Sequence, residues 1–328
     1  MRLTGGMAET SPATPELPPP SAASGPLVES SGELFAPVSP GIELCYQTWG
    51  DPADEPMLLV MGLSSPLTWW DPELCSMLAR RGYYVITFDN RDVGRSSKLR
   101  ERVTRRMLVR AFAGRRVRPP YTLVDMAHDA LGLLDHLGVE SAHVAGVSMG
   151  GMIAQTLAIE APTRVRSLTS IMSTTGRRTV GWADPRLIPV LLRPLRPGLE
   201  AYERSSVTIW NLIGSPGYPR PEGRTLEIAR ATYARGISAS GSLRQMMAIM
   251  TQPNRSPRLH SLRMPTLVIH GLADRMVHVS GGRATASAIP GAELLLIEGM
   301  GHDLSPELYE TFVDAIARVA ERAGQHAS

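Results

Sequence analysis

A chain of 328 residues with 43% hydrophobic and 5% aromatic content can bury a full core, and its strand–helix alternation suits one α/β domain carrying an insertion. The net charge of +3 rests almost wholly on arginine, with Lys98 the single lysine among 34 basic residues, and no RNA- or DNA-binding motif accompanies it, so no nucleic-acid partner is expected. Two cysteines, Cys45 and Cys75, make neither a disulfide framework nor a metal site, and no run approaches the roughly 18 apolar residues of a membrane span, so a soluble, cytoplasmic protein is expected.

Residues 1–35 form a leader rich in Pro, Ser, Ala and Thr that reads as disordered rather than as a secretory signal. An α/β core is expected in two parts, 36–174 and 264–324, split by a helical cap at 175–263 and followed by a tail at 325–328. Short apolar runs predict strands near 42–48, 57–61, 83–89, 142–147, 166–172, 266–270 and 292–297, with helices between them.

Residues 98–118 interrupt this alternation. Arg100, Arg102, Arg105, Arg106, Arg110, Arg115, Arg116 and Arg118 surround Val103, Met107, Leu108, Ala111 and Phe112, the pattern of a basic amphipathic helix. Two roles fit: peripheral contact with anionic lipid, or a solvated arginine face whose apolar side packs onto the body. The helix after it opens with Thr122-x-x-Asp125, a capping-box start, and repeats apolar residues at Leu123, Met126, Ala130, Leu134 and Leu137.

The run from His143 to Thr156 carries the most chemistry: an apolar strand breaks at Gly146-Val147-Ser148-Met149-Gly150 and continues as a helix. Such a strand–turn–helix lifts the serine hydroxyl clear of the sheet and aims the first helical N–H groups at the same point. A serine so placed still needs a base for its proton and a site for the developing anion. Because G-x-S-x-G also arises by chance, the pattern counts only with a buried strand before it, a helix after it, and an acid and a histidine beyond later strands.

In the cap segment, Pro and Arg clusters such as Arg193-Pro194-Leu195-Arg196-Pro197 alternate with short helical stretches. Met246, Met247 and Met250 suit either a pliable apolar pocket or plain packing. Beyond it, the strand Thr266–Gly271 leads to Asp274, which standing alone reads as a turn residue. The next strand leads to His302 on the glycine-rich loop Glu298-Gly299-Met300-Gly301-His302-Asp303. His128 and His136 lie on a helix, His270 inside a strand and His326 in the tail, so His302 is the histidine with both a loop and the required strand end. Asp274 outranks Asp303 as its acid, since adjacent loop residues rarely adopt that geometry. The final helix starts at Ser305-Pro306, buries Leu308, Phe312, Ile316 and Val319, and stops near Gly324.

With Leu58–Leu63 and Phe88-Asp89-Asn90-Arg91-Asp92-Val93-Gly94-Arg95-Ser96 added, the chain resembles the α/β-hydrolase superfamily from about residue 40 to about residue 322. Met61 stands where many members have histidine, and Asp92 where many have glycine; both departures resemble the branch of aclacinomycin methylesterase-like actinobacterial carboxylesterases. The resemblance implies an α/β-hydrolase fold: a mostly parallel sheet flanked by helices, with a helical cap over the strand ends. It also implies the triad Ser148, Asp274 and His302, with the backbone N–H groups of Leu63 and Met149 as oxyanion donors. The expected activity is hydrolysis of small to medium apolar carboxylic esters through an acyl-enzyme, without metal or organic cofactor. Perhydrolase, haloperoxidase-like, thioesterase, acyltransferase and lipid-ester hydrolase chemistry share this site, and a receptor-like ligand-binding protein is the reading from another class.

Overall fold

A computed structural model of the chain describes residues 26–191 and 196–325. Its strands are β1 (Leu34–Ser39), β2 (Ile42–Trp49), β3 (Glu55–Val60), β4 (Tyr83–Phe88), β5 (Ala142–Val147), β6 (Val165–Ile171), β7 (Thr266–Gly271) and β8 (Glu293–Ile297). They form one sheet in the order β1-β2-β4-β3-β5-β6-β7-β8. The pairings β1 with β2 and β2 with β4 are antiparallel, and all those from β4 to β8 are parallel. The helices are α1 (Pro72–Arg80), α2 (Arg105–Phe112), α3 (Leu123–His136), α4 (Met149–Glu160), α5 (Ile188–Leu191), α6 (Leu199–Ile213), α7 (Arg224–Ala234), α8 (Ala239–Thr251), α9 (Ser256–Leu259), α10 (Ser280–Ala288) and α11 (Tyr309–Gln325).

Strand alternation builds two cores, one on each face of the sheet. Leu58 and Val60 of β3, with Tyr84, Ile86 and Phe88 of β4, face the layer of α3 and α4. Met57, Leu59, Tyr83 and Val85 face the opposite layer, where Leu74 and Leu78 of α1 meet Phe312, Ile316 and Val319 of α11. A parallel sheet covered on both sides requires strands that are apolar throughout, and β4, β5 and β7 are buried along their whole length. The α3 start is a complete capping box: Thr122 accepts from the Asp125 N–H, and Asp125 accepts from the Thr122 N–H.

Three segments differ from the sequence-based expectation. β1 is an additional strand, hidden from pattern reading because it lies at the sheet edge, where only Ala36 is buried and Pro37 removes a ladder donor. The body therefore begins before residue 36: the Val28 N–H donates to Ser76 Oγ at 2.7 Å, and Ser30 bridges to Trp49. Residues 1–25 of the expected leader, 193–195 of the Arg-Pro cluster and 326–328 of the expected tail lie outside the described residues. The basic segment 98–118 is helical only over Arg105–Phe112.

The insertion between β6 and β7 carries α5 to α9. Helices α6 and α7 pack on each other and α8 packs on α2, whereas α9 packs on α4 and α10 and so joins the body. Met247 is fully buried, as packing requires, with Met246 and Met250 half-buried. Among the described residues no helix is long and apolar enough to cross a membrane.

Candidate active site

Ser148 joins β5 to α4 with φ 56° and ψ −117°, a left-handed conformation that costs a non-glycine residue about 1–3 kcal/mol. Two hydrogen bonds hold it there: the Ser148 N–H donates to Ile171 O at 2.8 Å, and Ser173 Oγ donates to Ser148 O at 2.8 Å. The flanking glycines are required by close approach. A Cβ on Gly146 would lie 2.2 Å from Gly150 O, and one on Gly150 would lie 2.0 Å from Val60 O. The turn can pass beneath β3 only because both side chains are absent.

The loops after β5, β7 and β8 bring Ser148, Asp274 and His302 into one hydrogen-bonded chain. Ser148 Oγ lies 3.1 Å from His302 Nε2, and His302 Nδ1 lies 2.8 Å from Asp274 Oδ2. An ionised carboxylate only accepts, so Nδ1 carries the hydrogen and Nε2 is left to accept from the serine hydroxyl. The Asp274 side chain is fully buried, and its Oδ1 accepts from the N–H groups of Met276 and Val277 at 2.8 and 2.9 Å. Burial alone raises its pKa, but the charge of His302 and hydrogen bonds from His270 and His302 outweigh it, holding the carboxyl well below the usual range.

The chain after β3 passes over the serine: a Cβ on Gly62 would sit 3.9 Å from Ser148 Oγ. Among the described residues, neither the Leu63 N–H nor the Met149 N–H has an acceptor. Met61 is buried in the α1/α11 core, and its carbonyl accepts from Asn90 Nδ2 at 2.9 Å. Ser64, at φ 58°, is held from the cap, its N–H donating to Gln245 Oε1 at 2.8 Å and its Oγ to Ser242 Oγ at 2.6 Å. Gln245 is fully buried and its Nε2 donates to Arg91 O at 2.9 Å, so one amide of α8 ties the β3 loop to the loop after β4.

That second loop, residues 88–96, is fastened by three buried ion pairs. Asp89 meets Arg235 at 2.5 Å, Arg91 meets Asp129 of α3 at 2.5 Å, and Asp92 meets Arg244 of α8 at 2.7 Å. Asp92 has a left-handed backbone of the kind glycine favours, φ 71°. Its carboxylate accepts from Arg244 Nε and Nη2, from the Tyr121 hydroxyl and from the Leu99 N–H. Burial disfavours its charge, yet these donors prevail and lower its pKa.

Motif reading did not reach several residues around the histidine. Asp303 turns away from His302 and accepts instead from Ser215 Oγ and from Arg220 Nε at 3.2 Å. Ser215 Oγ in turn accepts from the Gly301 N–H at 2.8 Å, and the His302 N–H donates to Ile213 O at 2.7 Å, so the end of α6 clasps the histidine loop. His270 is fully buried with Nε2 at 3.4 Å from Asp274 Oδ2, and it donates to Val277 O at 2.7 Å. The four-residue spacing of His270 and Asp274 was the one visible signal. Among the described residues no cluster of His, Cys, Asp and Glu could hold a metal ion.

Known proteins share this arrangement of chain. A family model for the alpha/beta hydrolase fold matches residues 55–307. Rhodomycin D methylesterase DnrP of Streptomyces peucetius is 30% identical over 297 residues, spanning 84% of this chain and 94% of that protein. Rhodomycin D methylesterase DauP of Streptomyces sp. (strain C5) is 31% identical over 291 residues, spanning 81% of this chain and 91% of that protein. A solved hydrolase from Pseudomonas aeruginosa PA01 superposes with a TM-score of 0.68 at 25% identity, covering 88% of this chain and 98% of that one. With the sheet order, the elbow and a family match across most of its length, the chain belongs to the α/β-hydrolase family.

Proposed function

We propose that the protein is a hydrolase of carboxylic esters that works through an acyl-enzyme on Ser148. The observation that carries this reading is the unbroken chain Ser148 Oγ, His302 Nε2, His302 Nδ1, Asp274 Oδ2, with links of 3.1 and 2.8 Å. His302 Nε2 takes the serine proton as Oγ attacks the substrate carbonyl, and the tetrahedral oxyanion is received by the Leu63 and Met149 N–H groups. Collapse breaks the bond to the alcohol, which leaves with the proton from Nε2. Water then adds to the acyl carbon, gives its proton to Nε2, and the acid departs as that proton returns to Ser148 Oγ. Asp274 stays ionised throughout, fixing the imidazole tautomer and stabilising the imidazolium. Two relatives named as methylesterases, at 30% and 31% identity, direct the substrate search to esters of small alcohols.

A panel of p-nitrophenyl esters of graded acyl length, run beside methyl esters, tests the reading. Wild type should turn over members of the panel, and Ser148→Ala should lower kcat by at least about 10⁴ with an unchanged circular dichroism spectrum. Substantial residual turnover in that variant refutes the assignment.

A further inference from the structure

Helix α2 turns apolar side chains into water. Its inward face is Ala111, buried, with Met107 and Leu108 half-buried beside it, where α2 packs on α8. Val109 is 68% exposed and Phe112 is 72% exposed. A helix whose arginines merely solvate a surface would place its apolar residues against the body, so the exposure of these two calls for another cause.

A charged cleft opens along another flank of α2, lined by neither of them. Arg106, Arg110, Arg116 and Arg118, with Met107 and Val117, line an open depression of about 300 Å³. None of the eight arginines between residues 100 and 118 pairs with a carboxylate among the described residues. By contrast, Arg91, Arg235 and Arg244 each meet a buried aspartate. The segment is nonetheless fastened to the body: Arg244 Nη1 donates to Glu101 O at 2.7 Å, and the Arg178 guanidinium donates to Ala111 O and Phe112 O at the end of α2.

Four unpaired guanidinium groups select anionic oxygens, and phosphate is the group they bind best. A polynucleotide offers phosphates too, but it gives an exposed valine nothing apolar to enter. A bilayer supplies both phases at the depth this helix needs.

We propose that α2 and residues 115–118 dock on the surface of a bilayer containing anionic phospholipid. Val109 and Phe112 enter the boundary between headgroups and acyl chains, while Arg106, Arg110, Arg116 and Arg118 hold lipid phosphates. Docking presents the α8 side of the cap to the membrane, the side whose Gln245 holds the Ser64 loop.

The test is co-sedimentation of the full chain, in a Ser148→Ala background that leaves lipid intact, with vesicles of phosphatidylcholine alone or with roughly 20% phosphatidylglycerol. The protein should pellet with the anionic vesicles at about 0.05 M salt and much less at about 0.5 M, and not with phosphatidylcholine alone. Each surface arginine contributes about fivefold, so Arg106→Gln/Arg110→Gln/Arg116→Gln/Arg118→Gln should lower the partition coefficient by roughly 100-fold or more. Val109→Ser/Phe112→Ser should lower it about 100-fold or more, the expected loss for two fully buried apolar side chains. Both sets, placed back on Ser148, should hydrolyse soluble esters as wild type does. Failure to pellet at low salt, equal binding to both vesicle types, or unchanged binding in either variant overturns the proposal. Tighter binding of single-stranded RNA than of anionic vesicles, undiminished by Val109→Ser/Phe112→Ser, overturns it in favour of a nucleic-acid surface.

Discussion

Replacing Arg244 with methionine should destabilise the protein by about 3 kcal/mol, the low end of what stranding one charge of a buried ion pair costs. The Asp92 carboxylate is fully buried and the Arg244 side chain is 2% exposed, so neither finds water when its partner goes. Asp92 would keep two donors, the Tyr121 hydroxyl at 2.8 Å and the Leu99 N–H at 2.9 Å, which places the cost at the low end. Asp92→Gly alone should be similarly costly, because it strands the arginine, although glycine adopts φ 71° without strain. The double variant Asp92→Gly/Arg244→Met removes both charges and should recover all but about 1–2 kcal/mol, the remainder reflecting the acceptor lost to Tyr121 and Leu99. Urea unfolding of the four proteins gives these numbers directly, and the coupling energy should exceed about 2 kcal/mol. An Arg244→Met cost below about 1 kcal/mol, or a double variant as unstable as the sum of the singles, would refute the view that this pair locks cap to core.

Other perturbations probe the loops around the serine. Gln245→Ala should cut kcat on a soluble ester by about 10- to 100-fold with little change in KM, part of the 2.7–4 kcal/mol of a lost oxyanion donor. Met247→Ala, in the same helix and equally buried, should lose stability without that loss of kcat; equal effects on kcat would make Gln245 merely structural. Asp274→Asn should reduce kcat by about 10⁴, the effect of losing the correct histidine tautomer. Because the folded pKa of Asp274 is depressed, its ionised form contributes stability above the usual carboxylate pKa of about 3.9, and that contribution is lost as the pH falls below it. The stability difference between wild type and Asp274→Asn measured by urea midpoints should therefore shrink on acidification from about pH 5 toward pH 2, and a constant difference would contradict the shift. Cys45 and Cys75 are buried, and burial pushes the Cys45 thiol up to about 11, so a thiol reagent at neutral pH should find none in the native protein and two after denaturation.

The parts of the molecule legible in the sequence are those where one local rule decides. The seven predicted strands fall within two residues of β2 to β8, and the clearest of them, β4, β5 and β7, are buried on both faces and so must be apolar throughout. Ser148, Asp274 and His302 stand out because each lies on a loop just beyond an apolar strand. β1 escaped notice because an exposed edge strand with Pro37 carries no such pattern. The roles of Asp92, Arg244 and Gln245 were illegible, since Arg244 lies 152 positions from the Asp92 it pairs with and Gln245 lies 154 from the Arg91 carbonyl it holds. Asp92 is conspicuous in the sequence as a departure from the family pattern, but the arginine that pairs with it lies on a helix far along the chain. The sequence marks α2 as basic and amphipathic, yet which of its apolar residues are covered depends on how α8 receives it, and Val109 and Phe112 are left exposed.

If Ser148 is the nucleophile and His302 activates it, a fluorophosphonate will react there, and peptide mass spectrometry of the treated protein locates the adduct. On that assignment, one covalent adduct should form on the peptide containing Ser148, be absent in Ser148→Ala, and appear at least about 10³-fold more slowly in His302→Ala. An adduct on another residue, or labelling of His302→Ala at the wild-type rate, would contradict it.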